Sequence, residues 1–196
     1  PRIALLSPLP PTRSGVADHS AALLTALRKL ARVEAFSGPY SRLAVQDGAY
    51  DAVLCVLGNA PLHEEIYQLC LRYGAACLCH DARLLGLATT HGLAPAAMLA
   101  GEELGRVVSE DEIAVWAADE SQREASFLGK LAHAARPLIF HAPQPVRLCQ
   151  ERFGVRAHCL PFPMMRPHAP IMPAERDAAR ARLRIGPAEQ LSLIHI

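Results

Sequence analysis

The sequence predicts a doubly wound α/β domain, an open parallel sheet covered by helices on both faces. Short apolar runs recur along the chain, most of them separated by stretches with helical periodicity. The run from Asp51 to Leu57 is, after its first residue, apolar at successive positions rather than at alternate ones, the pattern of a central strand buried on both faces. The intervals between runs are long enough for right-handed crossover helices, the connection that parallel strands require.

Arg2-Ile3-Ala4-Leu5-Leu6-Ser7, stopped by Pro8, Pro10 and Pro11, predicts the first strand. Ser14-Gly15 then opens a helix whose apolar residues Val16, Leu23, Leu24, Leu27, Leu30 and Ala31 fall on one stripe. Val33 to Phe36 predicts a second strand and Asp51 to Leu57 a third. In the next helix Pro61 suits the first position, Leu62, Ile66, Leu69, Cys70 and Tyr73 form the buried stripe, and Gly74 sits where a left-handed cap belongs. Ala75 to Cys79 is the fourth strand, ending at His80-Asp81.

Residues 82–135 read as a mostly helical insert, after which Pro137 to His141 resumes the strand pattern. A helix from about Pro145 to Phe153 stops at Gly154, and Val155 to Leu160 gives a sixth strand. The uncharged stretch from Leu84 to Gly101 is interrupted by Thr89, Thr90, His91, Gly92 and Pro95, which predicts two short buried or cleft-side helices and not a membrane span. Beyond Phe162, Pro163, Pro167, Pro170 and Pro173 predict a linker, followed by a short charged helix over Ala174 to Arg184. The expected organisation is a domain at 1–163, a proline-rich linker and short helix at 164–190, and a tail at 191–196 that reads as the severed start of a second domain or as adventitious.

At about 150 residues per domain, 196 residues make one domain with some left over. A chain of this size buries roughly 70% of its unfolded surface, enough for a core. With 51% hydrophobic and 20% charged residues and a mean hydropathy of +0.14, disorder and collagen-like structure are excluded. Twenty Lys and Arg against 19 Asp and Glu leave a net charge of +1 with no block of one sign, so no nucleic-acid partner is expected. Cys55, Cys70, Cys77, Cys79, Cys149 and Cys159 lie mostly in apolar runs without a C-x-x-C pair or a secretory signal, and read as small buried thiols in a reducing cytoplasm. Cys77 and Cys79 share a strand face but lack a second pair, so no metal-ligand set is expected.

Sheets of this class bind ligands outside the carboxyl ends of their strands, which selects the residues to inspect. At the first such loop, Gly15 lets a ligand approach the backbone, and the N–H groups around Ser14, Gly15 and Val16 favour an anion such as phosphate. A plain cap and turn is the alternative. The patterns G-x-G-x-x-G and G-x-x-x-x-G-K-[ST] are absent, which argues against nicotinamide dinucleotides and P-loop nucleotides. After the third strand, Asn59 offers donor and acceptor at the sheet edge, or caps the next helix, and His63 stands one helical turn further on. The fourth strand delivers His80, able to hydrogen-bond a sugar hydroxyl or a transition-state oxygen, and Asp81, which alternatively caps a helix. His141 ends the fifth strand and is a further candidate, whereas His133 and His158 read as structural.

Taken in order, Ser7-Pro8-Leu9-Pro10-Pro11, Ser14-Gly15-Val16-Ala17-Asp18, Gly58-Asn59 with His63, Leu78-Cys79-His80-Asp81 and Leu160-Pro161-Phe162-Pro163 resemble the N-terminal domain of a family 4 glycosyltransferase of the GT-B fold, over about residues 2–190. The resemblance implies a two-domain enzyme in which a Rossmann-like N-terminal half holds the acceptor and a C-terminal half holds a nucleotide-diphosphate sugar. It implies that Gly15 and its neighbours approach the donor diphosphate across the cleft and that His80 contacts the donor sugar near the reacting carbon. Transfer of a hexose would proceed with retention, to a carbohydrate or lipid-linked hydroxyl, with no cofactor and no bound metal. His80 is then the catalytic residue, with Ser14, Gly15, Val16, Asn59, His63 and Asp81 binding substrate. The resemblance also implies a cytoplasmic enzyme and leaves peripheral contact with the inner membrane face open, although no strongly basic amphipathic helix is present.

The family's Glu, seven residues, Glu pair belongs to the donor domain. That spacing occurs at Glu102 with Glu110 and at Glu112 with Glu120, inside the helical insert, where on one helix it would mark two turns of a solvated face and no catalytic pair. A single half supplies only part of the stabilisation of a departing nucleoside diphosphate, so the 196 residues are expected to be inactive or nearly so. The alternative is a non-catalytic Rossmann-like module for a phosphorylated or carbohydrate ligand. An epimerase of the same class would need a Tyr-x-x-x-Lys pair, and none of Tyr40, Tyr50, Tyr67 and Tyr73 has that lysine.

Overall fold

The computed structural model describes residues 1–38, 49–119, 121–122, 124–163, 170–186 and 188–190. Among the described residues six strands and the helices between most of them follow in the order β1 (Arg2–Leu6), α1 (Gly15–Leu27), β2 (Arg32–Phe36), β3 (Ala52–Leu57), α2 (Glu64–Tyr73), β4 (Ala76–Cys79), α3 (Leu85–Ala88), α4 (Leu93–Leu104), α5 (Glu110–Ala118), α6 (Gly129–Ala134), β5 (Leu138–Phe140), α7 (Pro143–Phe153) and β6 (His158–Cys159). All strand pairs are parallel, in the order β2-β1-β3-β4-β5-β6. This is the doubly wound, Rossmann-like α/β class that the apolar runs predict. The chain leaves β1 toward one edge of the sheet and β3 toward the other, so the strand order reverses between them and opens a crevice at their carboxyl ends.

Alternation along each strand assigns the two faces. Leu5, Val56 and Leu78, with Ile139, share one apolar cluster with Leu24 of α1. Their neighbours Ala4, Leu6, Cys55, Leu57, Cys77, Cys79, Leu138 and Phe140 point the other way, against Ile66, Tyr67 and Cys70 of α2, Leu131 of α6 and Cys149 of α7. Helices therefore cover both faces, and the carboxyl-terminal halves of β3 and β4 are buried on both sides. Five of the cysteines are buried in this second cluster, and burial pushes the Cys79 thiol up to about 12 and the Cys149 thiol to about 11, so both remain protonated packing groups. Cys159 departs from the expectation of burial: it is exposed because β6 is a two-residue strand at the sheet edge.

The helix ends follow local chemistry. Gly74 (φ 60°) and Gly154 (φ 64°) close α2 and α7 in the left-handed conformation that glycine adopts without a side-chain clash. Pro61 opens a short 3-10 turn over Pro61–His63 rather than α2 itself, and α7 begins at Pro143, slightly earlier than the periodicity indicates. Within the insert, the uncharged stretch is broken at Thr89–Gly92 into α3 and α4, and no described helix is long and apolar enough to cross a membrane. Glu102 lies in α4 and Glu110 in α5, so these carboxylates do not share a helix face. Glu112 is held by Arg106 at 2.7 Å and by the Ser109 amide at 2.9 Å, in a capping box that opens α5, and Glu120 lies outside the described residues.

The chain separates into two compact units, Pro1–Pro163 and Met164–Ile196. In the second, α8 (Pro173–Arg182) is a charged helix with no buried residue, opened by Glu175 accepting from the Met172 amide at 3.1 Å. The tail at 191–196 lies outside the described residues.

Candidate functional site

The loops after β1, β3, β4 and β5 meet at the crevice. Ser14 is the N-cap of α1, its hydroxyl accepting from the Val16 amide at 3.2 Å. Gly15 is exposed, and a Cβ there would meet nothing within 4 Å, so the first turn of α1 stands open to a ligand. No neighbouring protein atom demands the glycine. Ser7 at the end of β1 and Ser20 of α1 are joined at 2.6 Å in the interior, which fixes the height of α1 over the sheet.

Gly58, by contrast, is demanded by packing. A Cβ would lie 2.9 Å from His63 Nε2, 3.1 Å from Val16 Cγ2 and 3.3 Å from Asp81 Oδ2, so three elements close around the end of β3. The Asn59 amide donates to Asp81 Oδ2 at 2.6 Å, and Asn59 Oδ1 accepts from the Leu87 amide at 3.1 Å. Asn59 thus caps α3, 28 residues away in the sequence, and not the helix that follows it. Asp81 does not cap a helix: it ties the β3 and β4 loops together. Burial raises its carboxyl above the ordinary range, opposed by the Asn59 amide.

His63 is 1% exposed, packed under the β3 loop rather than facing open crevice. Desolvation lowers its pKa to about 4, against a hydrogen bond to the Val56 backbone, so it is neutral at physiological pH. A pocket of about 380 Å³ beside the β3 and β4 loops is lined by Asn59, Asp81, Gly86, Thr89 and Trp116 among others, and Gly15 and His80 stand outside its lining. A larger cavity of about 670 Å³ is lined by residues of α2, α4, α6 and α7, including Tyr67, Lys130, His133 and Phe153. It lies away from the carboxyl edge of the sheet, and the edge is the better guide to function in this topology.

His80 belongs to a second group beside the first. Its ring centroid is 4.5 Å from that of His19 and 5.0 Å from that of His141, and the His19–His141 separation is 5.1 Å. Phe162 stands against this triangle, 4.8 Å from His141 and 5.2 Å from His19. Strand alternation explains the meeting: His80 follows Cys79, and His141 follows Phe140, so both rings turn to the α1 face, where the second turn of α1 supplies His19. Burial lowers the His80 pKa to about 3, with further contributions from His19, His141 and His63. His19 is lowered too, first by burial and then by His141.

His80 therefore offers a hydrogen bond, not a positive charge. His141 Nδ1 sits 2.9 Å from the Leu160 carbonyl oxygen and donates to it, while His141 Nε2, His80 Nε2 and both nitrogens of His19 are buried without a partner. A buried polar group left unpaired costs on the order of 1–3 kcal/mol, so this cluster is an expense that packing alone does not explain.

Of the sequence-predicted residues, Val16, His63 and Asp81 converge on Gly58, with Ser14 and Gly15 opening α1 above and Asn59 bonded to Asp81. His80 pairs instead with His141 and with His19, which the sequence reading missed. The signal was present: His19 falls between Val16 and Leu23 on the stripe of α1 that faces the sheet. No protein-family model, curated protein or solved structure matches the chain.

Proposed function

We propose that residues 1–163 form the acceptor-side half of a glycosyltransferase of GT-B architecture, which passes a hexose from a nucleotide-diphosphate sugar to a hydroxyl acceptor with retention. The observation that carries the reading is one shared edge: the open first turn of α1, the pocket lined by Asn59 and Asp81, and a neutral His80 all stand at the carboxyl ends of the strands. The α1 amides and helix dipole would meet the diphosphate, a role that needs no local excess of Lys or Arg. His80 would hydrogen-bond the donor sugar, and Asn59 and Asp81 would orient the acceptor hydroxyl. The missing share of the charge stabilisation belongs to a second domain, so slow or absent turnover by the 196 residues alone is part of the proposal.

The test measures release of nucleoside diphosphate from UDP-, GDP- and ADP-hexoses by this chain and by the longer product of its reading frame. The longer product is expected to turn over, and His80→Ala to slow it more than tenfold with little change in thermal midpoint. Turnover at an ordinary enzymatic rate by the 196 residues, or a reading frame without a second domain, refutes the reading. The second outcome would favour a non-catalytic binding module, a reading helped by the burial of His63 and by the commitment of Asn59 to capping α3.

A further inference from the structure

We propose that His19, His80 and His141 bind a divalent transition-metal ion of the zinc type. Three separate elements, α1 and the ends of β4 and β5, deliver these rings to one point, and one ligand nitrogen from each lies within 4.8 Å of the others. A tetrahedral ion with bonds of about 2.0–2.1 Å needs its nitrogens about 3.4 Å apart, so modest ring rotations close the set. The nitrogens are already stripped of other partners: His141 Nε2, His80 Nε2 and both nitrogens of His19 are buried and unbonded, and His19 as a whole is 4% exposed.

The surroundings have the form of a metal site. His141 Nδ1 donates to the Leu160 carbonyl at 2.9 Å, which fixes the tautomer that leaves Nε2 a lone pair and supplies the outer-shell bond typical of ligating histidines. Phe162 gives the cluster an apolar wall. All three donors are imidazoles, which suit zinc, copper, nickel and iron, and not the hard ions calcium or magnesium. Three protein ligands leave a fourth position for water or a substrate atom. The proposal shares His80 with the sugar-transfer reading, but it rests on the histidine cluster alone and its test needs no sugar nucleotide.

The experiment uses the full chain carrying Cys159→Ser, which removes the exposed thiol, freed of metal by a chelator and then titrated with Co(II) and Zn(II) against a chromophoric chelator. The expected result is uptake of a single equivalent, a visible Co(II) spectrum of tetrahedral nitrogen coordination without a thiolate charge-transfer band, and a raised thermal midpoint with Zn(II). His80→Ala and His141→Ala should each weaken binding by roughly tenfold or more and abolish that spectrum, while His133→Ala changes neither. His80 and His141 are only half-buried, so their variants carry the test even where His19→Ala fails to fold. Absence of stoichiometric binding, a thiolate band, or binding unchanged in the His80 and His141 variants overturns the proposal. Since the readout is metal binding without sugar nucleotide, its failure leaves the transferase reading untouched.

Discussion

Acidification tests the placement of His63 directly. Its pKa is lowered from 6.5 to about 4 by burial, so the folded chain holds it neutral where the unfolded chain would protonate it. A base with a lowered folded pKa makes the unfolded state bind more protons, and stability falls as pH falls. The contribution is fully present above pH 6.5, is lost between 6.5 and about 4, and levels off below that. At pH 5 the loss works out at about 2 kcal/mol relative to pH 8. With a urea slope of about 2 kcal/mol per M for a domain of this size, the midpoint should drop by about 1 M from this group alone.

His19 and His80, also lowered, add losses of the same sign, that of His80 diminished by its partial exposure to solvent. The raised carboxyl of Asp81 has the opposite sign and acts at lower pH. Urea unfolding of the wild type and of His63→Leu at pH 8, 6.5 and 5, with EDTA present, isolates the His63 share as the difference in slope with pH. Equal slopes in the two proteins would show that His63 is solvated in the native state, and the account of the β3 loop would fall with it.

Two further perturbations address packing around the site. Gly58→Ala drives a methyl group to 2.9 Å from His63 Nε2 and 3.1 Å from Val16, and is expected to cost about 1–3 kcal/mol, read as a lower urea midpoint at unchanged slope. Arg152→Ala removes the guanidinium 2.8 Å from Glu103, whose side chain is 2% exposed and otherwise held by the Ser126 amide at 2.7 Å and hydroxyl at 2.9 Å. Stranding that carboxylate should cost about 2–3 kcal/mol, at the low end for a broken buried pair because Arg152 itself reaches solvent, whereas Glu103→Gln with Arg152 intact should cost less in the same unfolding assay.

The site was only partly visible in the chain. Asn59, Asp81 and His80 are legible because each follows an apolar run that can only be a buried strand, and such strands deliver their next residues to the carboxyl edge. The partners of those residues are not legible in the same way. Asn59 caps a helix that begins at Leu85, and the packing that fixes Gly58 joins α1, the β3 loop and the β4 loop. Periodicity describes one element at a time, so it assigns a residue to a face without naming what lies across from it. His63 illustrates the limit: its place one turn into the helical segment is correct, but whether that turn faces crevice or core depends on how close α1 lies, and Val16 closes the gap.

By itself, the sequence determined the class of the fold, the strands, the glycine-closed helix ends and the parity that turns His80 and His141 to the same side. These are local properties, set by burial on both faces of a strand and by backbone conformations that glycine alone adopts freely. Only the tertiary structure decided that β4 and β5 are neighbours in register and that the second turn of α1 lies at their carboxyl ends, bringing His19 to the two strand-end histidines. That meeting is a consequence of strand order, which is fixed by the packing of helices from distant parts of the chain onto a common sheet.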